Sequence, residues 1–596
     1  MSQFYIPQLP ESAPFTPEQR AYLNGFFAGL FSRVPAGAPG PGATAAAGAS
    51  PSMEPLTILF GSQTGTSEKL AKRVAKEAGR HGFAATIHEM ARYPVSQLGS
   101  ERHLVVVTST YGDGDPPDNA KAFWDFLAGA DVPALKQTRF AVCALGDSNY
   151  PKFCAFGKNV DERLEKLGAT RVVSRVDCDL DYEEPFAKWV NAALASLNGG
   201  KKGAPVMESA QAAGGSPAEA EGNYDRKNPF PAALIANRRL NGEGSAKDTR
   251  HFEFLIEGSG LSYSAGDAMG VFPSNCRELV TEVLQALGCS GEEAVPGSKG
   301  SDVSLREALT THYEIARITP ALLKVVAEQT GDEQLRKLSS PGVNGELTKF
   351  LRGREVIDLL LDHRGVKFSP KEFVALLKKL QPRLYSIASS PAAHAAAVHL
   401  CVGVVRYESL GRFRKGVCST FLAERVTSGA AVPIFLHANN NFRPPSSGST
   451  PMVMVGPGTG IAPFRGFLHE RRATGATGRN WLFFGDQRES TDFLYREEME
   501  GHLHSGLLTR LDTAFSRDQA EKIYVQNRML ENGRELFAWL EEGAHFYVCG
   551  DASRMAKDVD ASLHQVIQAA GGKSPEQAQA YVQQLKSEKR YQRDVY

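Results

Sequence analysis

The sequence lacks the excess of positive charge that a nucleic-acid binder needs. Lys+Arg and Asp+Glu both number 67 in 596 residues, so the formal net charge is zero and no overall field draws the chain to a polyanion. Cysteine is scarce. The eight thiols (Cys143, Cys154, Cys178, Cys276, Cys289, Cys401, Cys418 and Cys549) contain no C-x-x-C pair, which excludes the common zinc and iron–sulfur spacings and a disulfide scaffold; no metal ligands are expected. No apolar run reaches the roughly 18 residues needed to cross a bilayer. The first ten residues have neither a basic start nor the apolar core of a leader, so a cytoplasmic location is expected. What is present is 42% apolar and 22% charged, the balance of a globular chain. At about 150 residues per domain it has length for roughly four domains.

Two stretches read as tethers. Residues 35–52 are Gly, Ala, Pro or Ser except for Thr44, and residues 198–222 are again rich in small residues. Neither can bury enough apolar surface to offset its ordering entropy. They isolate an N-terminal segment, 1–34, in which Tyr22, Phe26, Phe27, Leu30 and Phe31 recur at near-helical spacing; it either docks on its own protein or serves subunit assembly. In residues 53–197, apolar runs at 56–60, 104–108, 140–145 and 172–176 alternate with helical patterns such as 67–81 and 159–167. That alternation predicts a doubly wound parallel sheet, with ligands at the carboxyl ends of its strands.

Three loops follow those strand ends. The first, Gly61-Ser62-Gln63-Thr64-Gly65-Thr66-Ser67, opens a helix and offers hydroxyls and backbone N–H groups to a phosphate, without the spacing of a Walker loop. The second holds Ser109, Thr110, Tyr111 and Gly112. The third runs Leu145-Gly146-Asp147-Ser148-Asn149-Tyr150-Pro151-Lys152-Phe153-Cys154. Each of the last two presents a tyrosine, and two such rings can enclose a planar group. Together the three loops resemble the flavodoxin-like domain of the diflavin reductases. The resemblance implies FMN, with Ser62–Ser67 as phosphate cradle and Tyr111 and Tyr150 near the isoalloxazine.

In residues 223–446 strand runs at 230–238, 250–257 and 267–272 give way to helical patterns at about 277–380, and strands return at 383–390 and 398–406. An antiparallel barrel with a helical insertion is expected. Arg383-Leu384-Tyr385-Ser386 sets a cation, a ring and a hydroxyl on one run, suited to a pyrophosphate and a flavin ring. With Cys401-Val402-Gly403, Tyr407 and Gly416-Val417-Cys418-Ser419, it resembles the FAD-binding domain of the ferredoxin–NADP reductase superfamily. By that resemblance these residues line FAD, and Thr319 reaches its adenine end. Cys401 and Val417-Cys418 depart from the commoner residues at their positions.

Residues 447–596 open with an apolar strand at 451–455 and the loop Gly456-Pro-Gly-Thr-Gly460, short of a full G-x-G-x-x-G and with no acidic residue placed for a ribose of NAD. Instead Ser516-Arg517 and Lys522-Ile523-Tyr524-Val525-Gln526 group hydroxyls with two cations, which favours the 2′-phosphate of NADPH; Asp558 is assigned to the same Rossmann-like NADP-binding site. The chain ends Arg593-Asp594-Val595-Tyr596. By resemblance Tyr596 covers the FAD ring, and Ser386, Cys549 and Asp594 steer hydride transfer.

Across nearly its full length the sequence is similar to the flavoprotein components of assimilatory NADPH–sulfite reductases. The resemblance implies electron flow from NADPH through FAD and FMN to a partner haemoprotein carrying sirohaem and a 4Fe–4S cluster, for sulfite reduction in cysteine biosynthesis. Tyr111-Gly-Asp-Gly-Asp115 is closer to reductases that serve haem monooxygenases, so a soluble diflavin reductase for another haem protein is the alternative, and a flavin carrier without turnover a third. The even charge total hides two acidic runs, Asp113, Asp115 and Asp118, and Asp177, Asp179, Asp181, Glu183 and Glu184. They form either a solvated face or a docking rim for the electron acceptor.

Overall fold

Three large sheets, two parallel and one antiparallel, carry the loops singled out above. The computed structural model describes residues 53–112, 114–148, 152–199, 224–297, 300–340 and 344–596. The expected N-terminal segment, both tethers apart from Asn198 and Gly199, and Asp113, Asn149, Tyr150 and Pro151 lie outside the described residues.

The first sheet contains β1 (Glu54–Gly61), β2 (Phe83–Glu89), β3 (His103–Ser109), β4 (Arg139–Leu145), β5 (Thr170–Arg171) and β6 (Val176–Cys178), interleaved with helices α1 (Thr66–Arg80), α2 (Lys121–Ala128), α3 (Ala155–Lys166) and α4 (Glu183–Leu197). Its order is β2-β1-β3-β4-β5 with β6 also on β4, and every pairing is parallel. Continuous apolar runs such as Leu104–Val107 are wholly buried because helices cover both faces. The strand expected at 172–176 is corrected: the chain pairs only at β5 and β6 and bends between them.

The second sheet comprises β7 (Phe230–Arg239), β8 (Thr249–Leu255), β9 (Ala268–Val271), β10 (Arg383–Ser386), β11 (Ala397–Gly403) and β12 (Ala431–His437). It is antiparallel throughout, in the order β10-β9-β12-β7-β8-β11. The expected barrel is not fully closed by ladders: the two edge strands meet at one bridge, Ile387 to Leu400. The helical insertion is present, from Arg277–Leu287 to Pro370–Ala375, around a core of its own.

The third sheet is parallel again: β13 (Met452–Val455), β14 (Asn480–Asp486), β15 (Arg510–Phe515), β16 (His545–Gly550) and β17 (Tyr591–Val595), in the order β15-β14-β13-β16-β17. After β13 comes α5 (Ile461–Ala473), and α6 (Arg496–His504) follows β14. One core joins Ala265, Ala388 and Cys401 of the second region to Phe464, Phe467, Tyr547 and Cys549 of the third. Phe464 and Phe467 are 0% exposed, each worth on the order of 1.5–3 kcal/mol of burial. This shared packing fixes the two sheets in register and so fixes the groups at their junction.

Candidate functional site

At the end of β1, Gly61 has no room for a side chain, since a Cβ would lie 2.7 Å from Thr108 Oγ1. The chain then turns through Gly65, at φ 92°, into α1. Ser62 Oγ accepts the N–H groups of Gly65 (2.9 Å) and Ser67 (3.2 Å), while Ser62 N donates to Asn119 Oδ1 at 2.9 Å. Ser67 Oγ is buried with no hydrogen-bond partner, a polar atom whose burial costs free energy until something pairs with it. The side chains of Thr64 and Thr66 lie 3.3 Å apart beside it. A phosphate fits this set of hydroxyls and helix-end N–H groups.

The second and third loops are tied to each other and to the first. Thr110 N donates to Leu145 O (2.9 Å), and Phe156 N to Thr110 Oγ1 (3.1 Å). Tyr111 and Asp115 exchange backbone bonds across a turn in which Gly112 and Gly114 both have positive φ. In the third loop Gly146 N donates to Cys178 O and Ser148 N to Asp179 Oδ1, both at 3.0 Å. Cys154 is buried in a left-handed conformation at the start of α3, and Lys378 lies 5.8 Å from the Phe153 ring.

Around the second sheet, Arg383 donates to Gln381 O (2.7 Å) and pairs with Glu314 (3.0 Å), which leaves three of its five N–H donors for a ligand. Leu384 and Tyr385 share β10 with it, and Cys401, Val402 and Gly403 lie on β11. Gly403 stands within van der Waals reach of Thr459, in the loop after β13. Tyr407 is 46% exposed, an open ring face on a short hairpin. Gly416 precedes a tight turn in which Val405 N donates to Ser419 Oγ at 3.1 Å, with Val417 and buried Cys418 following. Thr319, expected at the adenine end of FAD, also has a structural role. Its hydroxyl caps the helix Pro320–Thr330, accepting from Leu322 N, and donates to Leu376 O.

In the third region Ser516 is held against Asp486 O. Arg517 and Lys522 are exposed, and neither has an ion-pair partner among the described residues. Tyr524 is 44% exposed beside them, Ile523 and Val525 pack on the sheet core, and Gln526 reaches Asp558 at 3.3 Å. Two unpaired cations beside hydroxyls suit a dianionic phosphate.

The polar groups expected to steer hydride transfer converge. Cys549 and Asp594 are register partners on β16 and β17, with Cys549 Sγ 3.9 Å from Asp594 Oδ2. Ser386 Oγ donates to the same oxygen at 2.6 Å across 208 residues of sequence. Burial raises the Asp594 pKa, and the bonds from Ser386 and Cys549 oppose that rise. Burial and the nearby Asp594 carboxyl also push the Cys549 thiol well up, so it acts as a neutral S–H. Tyr596 is anchored by its N–H on Gly550 O (3.1 Å) and by its hydroxyl, 2.8 Å from Thr459 Oγ1, and the residue is 45% exposed.

Sequence reasoning missed how the first loops meet the C-terminal strand. Val595 N donates to Tyr111 Oη at 3.1 Å, Arg593 lies over the Tyr111 ring at 5.4 Å, and Arg593 also grips Asp118. Asn441 Nδ2 donates to Gln63 O (2.6 Å) and Arg317 to Ser148 O (2.8 Å). The second acidic run is largely paired within the chain: Asp177 with Arg175, Asp181 with Arg226, Glu183 with Arg73 and Glu184 with Lys188.

The chain matches family models for flavodoxin over residues 58–189, for an FAD binding domain over 222–421 and for an oxidoreductase NAD-binding domain over 454–561. It is 46% identical over 596 residues to the sulfite reductase NADPH flavoprotein alpha-component of Bacillus subtilis strain 168, covering 99% of this chain and 96% of the relative. It is 44% identical to the protein of the same name from Vibrio cholerae El Tor, with 97% and 93% covered, and 42% identical to that of Vibrio parahaemolyticus, with 97% and 92% covered. By full-length similarity and by these three successive domains, the chain belongs to the family of sulfite reductase NADPH flavoprotein alpha-components.

Proposed function

We propose that the chain passes electrons from NADPH through FAD and FMN to a sirohaem and iron–sulfur haemoprotein subunit, for reduction of sulfite to sulfide in cysteine biosynthesis. The observation that carries this reading is the junction of the second and third sheets. There Ser386, Cys549 and Asp594 converge, with Tyr596 bound to the loop beside them. When bound, the nicotinamide supplies a hydride and the two flavins divide its electron pair into single electrons.

The remaining work belongs to the chain. Arg517, Lys522, Ser516 and Tyr524 hold the 2′-phosphate, and Gln526 and Asp558 border that site. Arg383, Tyr385, Ser386, Gly403, Tyr407, Gly416 and Ser419 hold FAD; Ser62–Ser67, Tyr111 and the third loop hold FMN. Asp594, kept in place by Ser386, would set a carboxyl group beside a bound nicotinamide and offset positive charge there. Tyr596 would exclude water from the face of a bound flavin and would have to move for a nicotinamide to stack there.

The proposed domains are residues 53–197, 223–446 and 447–596, with 198–222 as the hinge that lets the first reach its acceptor, the cytoplasm as the place of action, and 1–34 as an element of assembly. Reconstitution tests the function: the chain, the haemoprotein subunit and NADPH should yield sulfide. An inactive pair, with another haem protein reduced instead, would move the assignment to the alternative acceptor.

A further inference from the structure

Histidines gather in two clusters where α5 and α6 pack near the second sheet. The first is His251, Glu253 and His399, on β8 and β11; the second is His469 of α5 with Glu498 and His502 of α6. In each, the candidate ligand atoms all lie within 4.8 Å of one another. Their hydrogen bonds separate them.

In the first cluster Arg465 NH1 lies 3.2 Å from His399 Nδ1. A guanidinium can only donate, so that nitrogen is the acceptor. The proton of the neutral ring is then on Nε2, the atom that faces Glu253 at 3.9 Å, and a metal there would have to displace it. His251 is held from both sides, by Tyr495 Oη and by Glu253 Oε1, each at 2.9 Å. This cluster is a closed proton-bonded network.

The second cluster is bonded on one side and open at His502. Glu498 and His502 are one helical turn apart and share a face of α6, and His469 approaches from α5. Glu498 Oε1 is hydrogen-bonded to His469 Nε2 at 2.7 Å, a bond whose proton a metal would replace, and lies 3.7 Å from His502 Nε2. Ligand atoms of a tetrahedral zinc site stand about 3.3 Å apart, so these two separations bracket the value needed. His502 is 4% exposed and its Nε2 has no hydrogen-bond partner; His469 is 8% exposed and its Nδ1 has none either. A buried imidazole nitrogen facing a carboxylate oxygen without a bond to it is an incomplete arrangement. The outer oxygen of Glu498 accepts from Arg465 Nε at 2.8 Å, which fixes the carboxylate as an outer-sphere partner does. That same positive charge should make the site weaker than a structural zinc site.

We propose that His469, Glu498 and His502 form a binding site for a divalent metal ion of zinc type, with two imidazoles, one carboxylate and an open fourth position. Nitrogen and oxygen ligands in this ratio select zinc, cobalt or nickel over magnesium and calcium. A metal held here clamps α5 to α6 and binds the folded chain alone, so it should raise thermal stability.

The test uses the full chain with its flavins, treated with a chelator and titrated with Zn²⁺ alone by calorimetry. Co²⁺ serves as a second probe, read by its visible bands beyond the absorption of the oxidised flavins. One saturable equivalent is expected, with a rise in melting temperature and the intense bands of a low-coordinate cobalt site that Zn²⁺ displaces. His502→Gln and His469→Gln should each weaken binding by at least about tenfold and remove the stabilisation. His504→Gln, exposed on the same helix, should leave both unchanged. If a buried-histidine variant does not fold, the Co²⁺ spectrum of the unaltered chain decides: weak octahedral bands overturn the site. Absence of saturable binding overturns it too, as does binding that both histidine variants leave intact.

Discussion

The loop at the start of α1 and the group around Asp594 do comparable work, each presenting polar atoms to a ligand, but they are assembled in opposite ways. Ser62, Gly65 and Ser67 are near neighbours in the chain, and Ser62 Oγ bonds the other two directly. Ser386, Cys549 and Asp594 come from two sheets, and their geometry depends on the core that joins those sheets. The first kind of site is local and tolerates change elsewhere. The second inherits its precision from packing, so changes at a distance, as well as in its own residues, should disturb it.

The largest effect expected of a change confined to the Ser386, Cys549 and Asp594 group is for Asp594→Ala. Flavin reduction by NADPH should slow by on the order of 100-fold or more, with FAD still bound; stopped-flow traces at the wild-type rate would remove Asp594 from the reaction. Cys549→Ala should act in the same direction and less strongly, because its contact with Asp594 is a long thiol bond. Next comes the double change Arg517→Ala with Lys522→Ala. It should raise the KM for NADPH roughly tenfold or more while leaving that for NADH little changed, and an equal rise for both would show that these cations do not read the 2′-phosphate.

Ser67→Ala sharpens the comparison from the local side. It should weaken FMN retention about fivefold, the worth of one hydrogen bond, without altering reduction of FAD; a change in FAD reduction instead would mean the two sites are not separable. The smallest effect concerns pH. Burial holds both His251 and His545 at about 4, with Arg590 adding to the effect at His545, against about 6.5 in an unfolded chain. The unfolded chain takes up protons first on acidification, so this stability is complete above about pH 6.5 and declines toward about pH 4. The melting temperature should fall by a few degrees between about pH 7 and about pH 5, and His545→Gln should flatten that slope.

The same contrast explains what could be read from residues alone. Ser62–Ser67 was legible because an apolar run, a turn and a helical period adjoin one another. Arg383–Ser386 was legible as a short run of distinctive chemistry. The bend between β5 and β6 was not, since Val172, Val173 and Val176 have the composition of a strand and only tertiary packing breaks it. The cap formed by Thr319 had a local signal, a threonine before Pro320, that also fits a ligand contact. Nothing local joins His469 to His502, or Arg593 to Asp118 across 475 residues; the sole hint was Glu498 and His502 four apart on one helix.

Asp118 is already taken. It accepts Gln63 Nε2 at 3.1 Å within its own region, while Arg593 and, at 3.8 Å, Lys586 reach it from the C-terminal part. Although burial works to raise its pKa, these cations hold it below the usual carboxylate value. An acceptor seeking that carboxylate therefore enters a competition, exchanging one ion pair for another. Its apparent dissociation constant is the intrinsic one divided by the fraction of molecules in which the seat is vacant. Moderate salt, by loosening the internal pair, can help a partner bind before it begins to screen the partner's own charge. Such an exchange would give electron delivery an optimum in ionic strength, where simple attraction between opposite charges gives a steady decline.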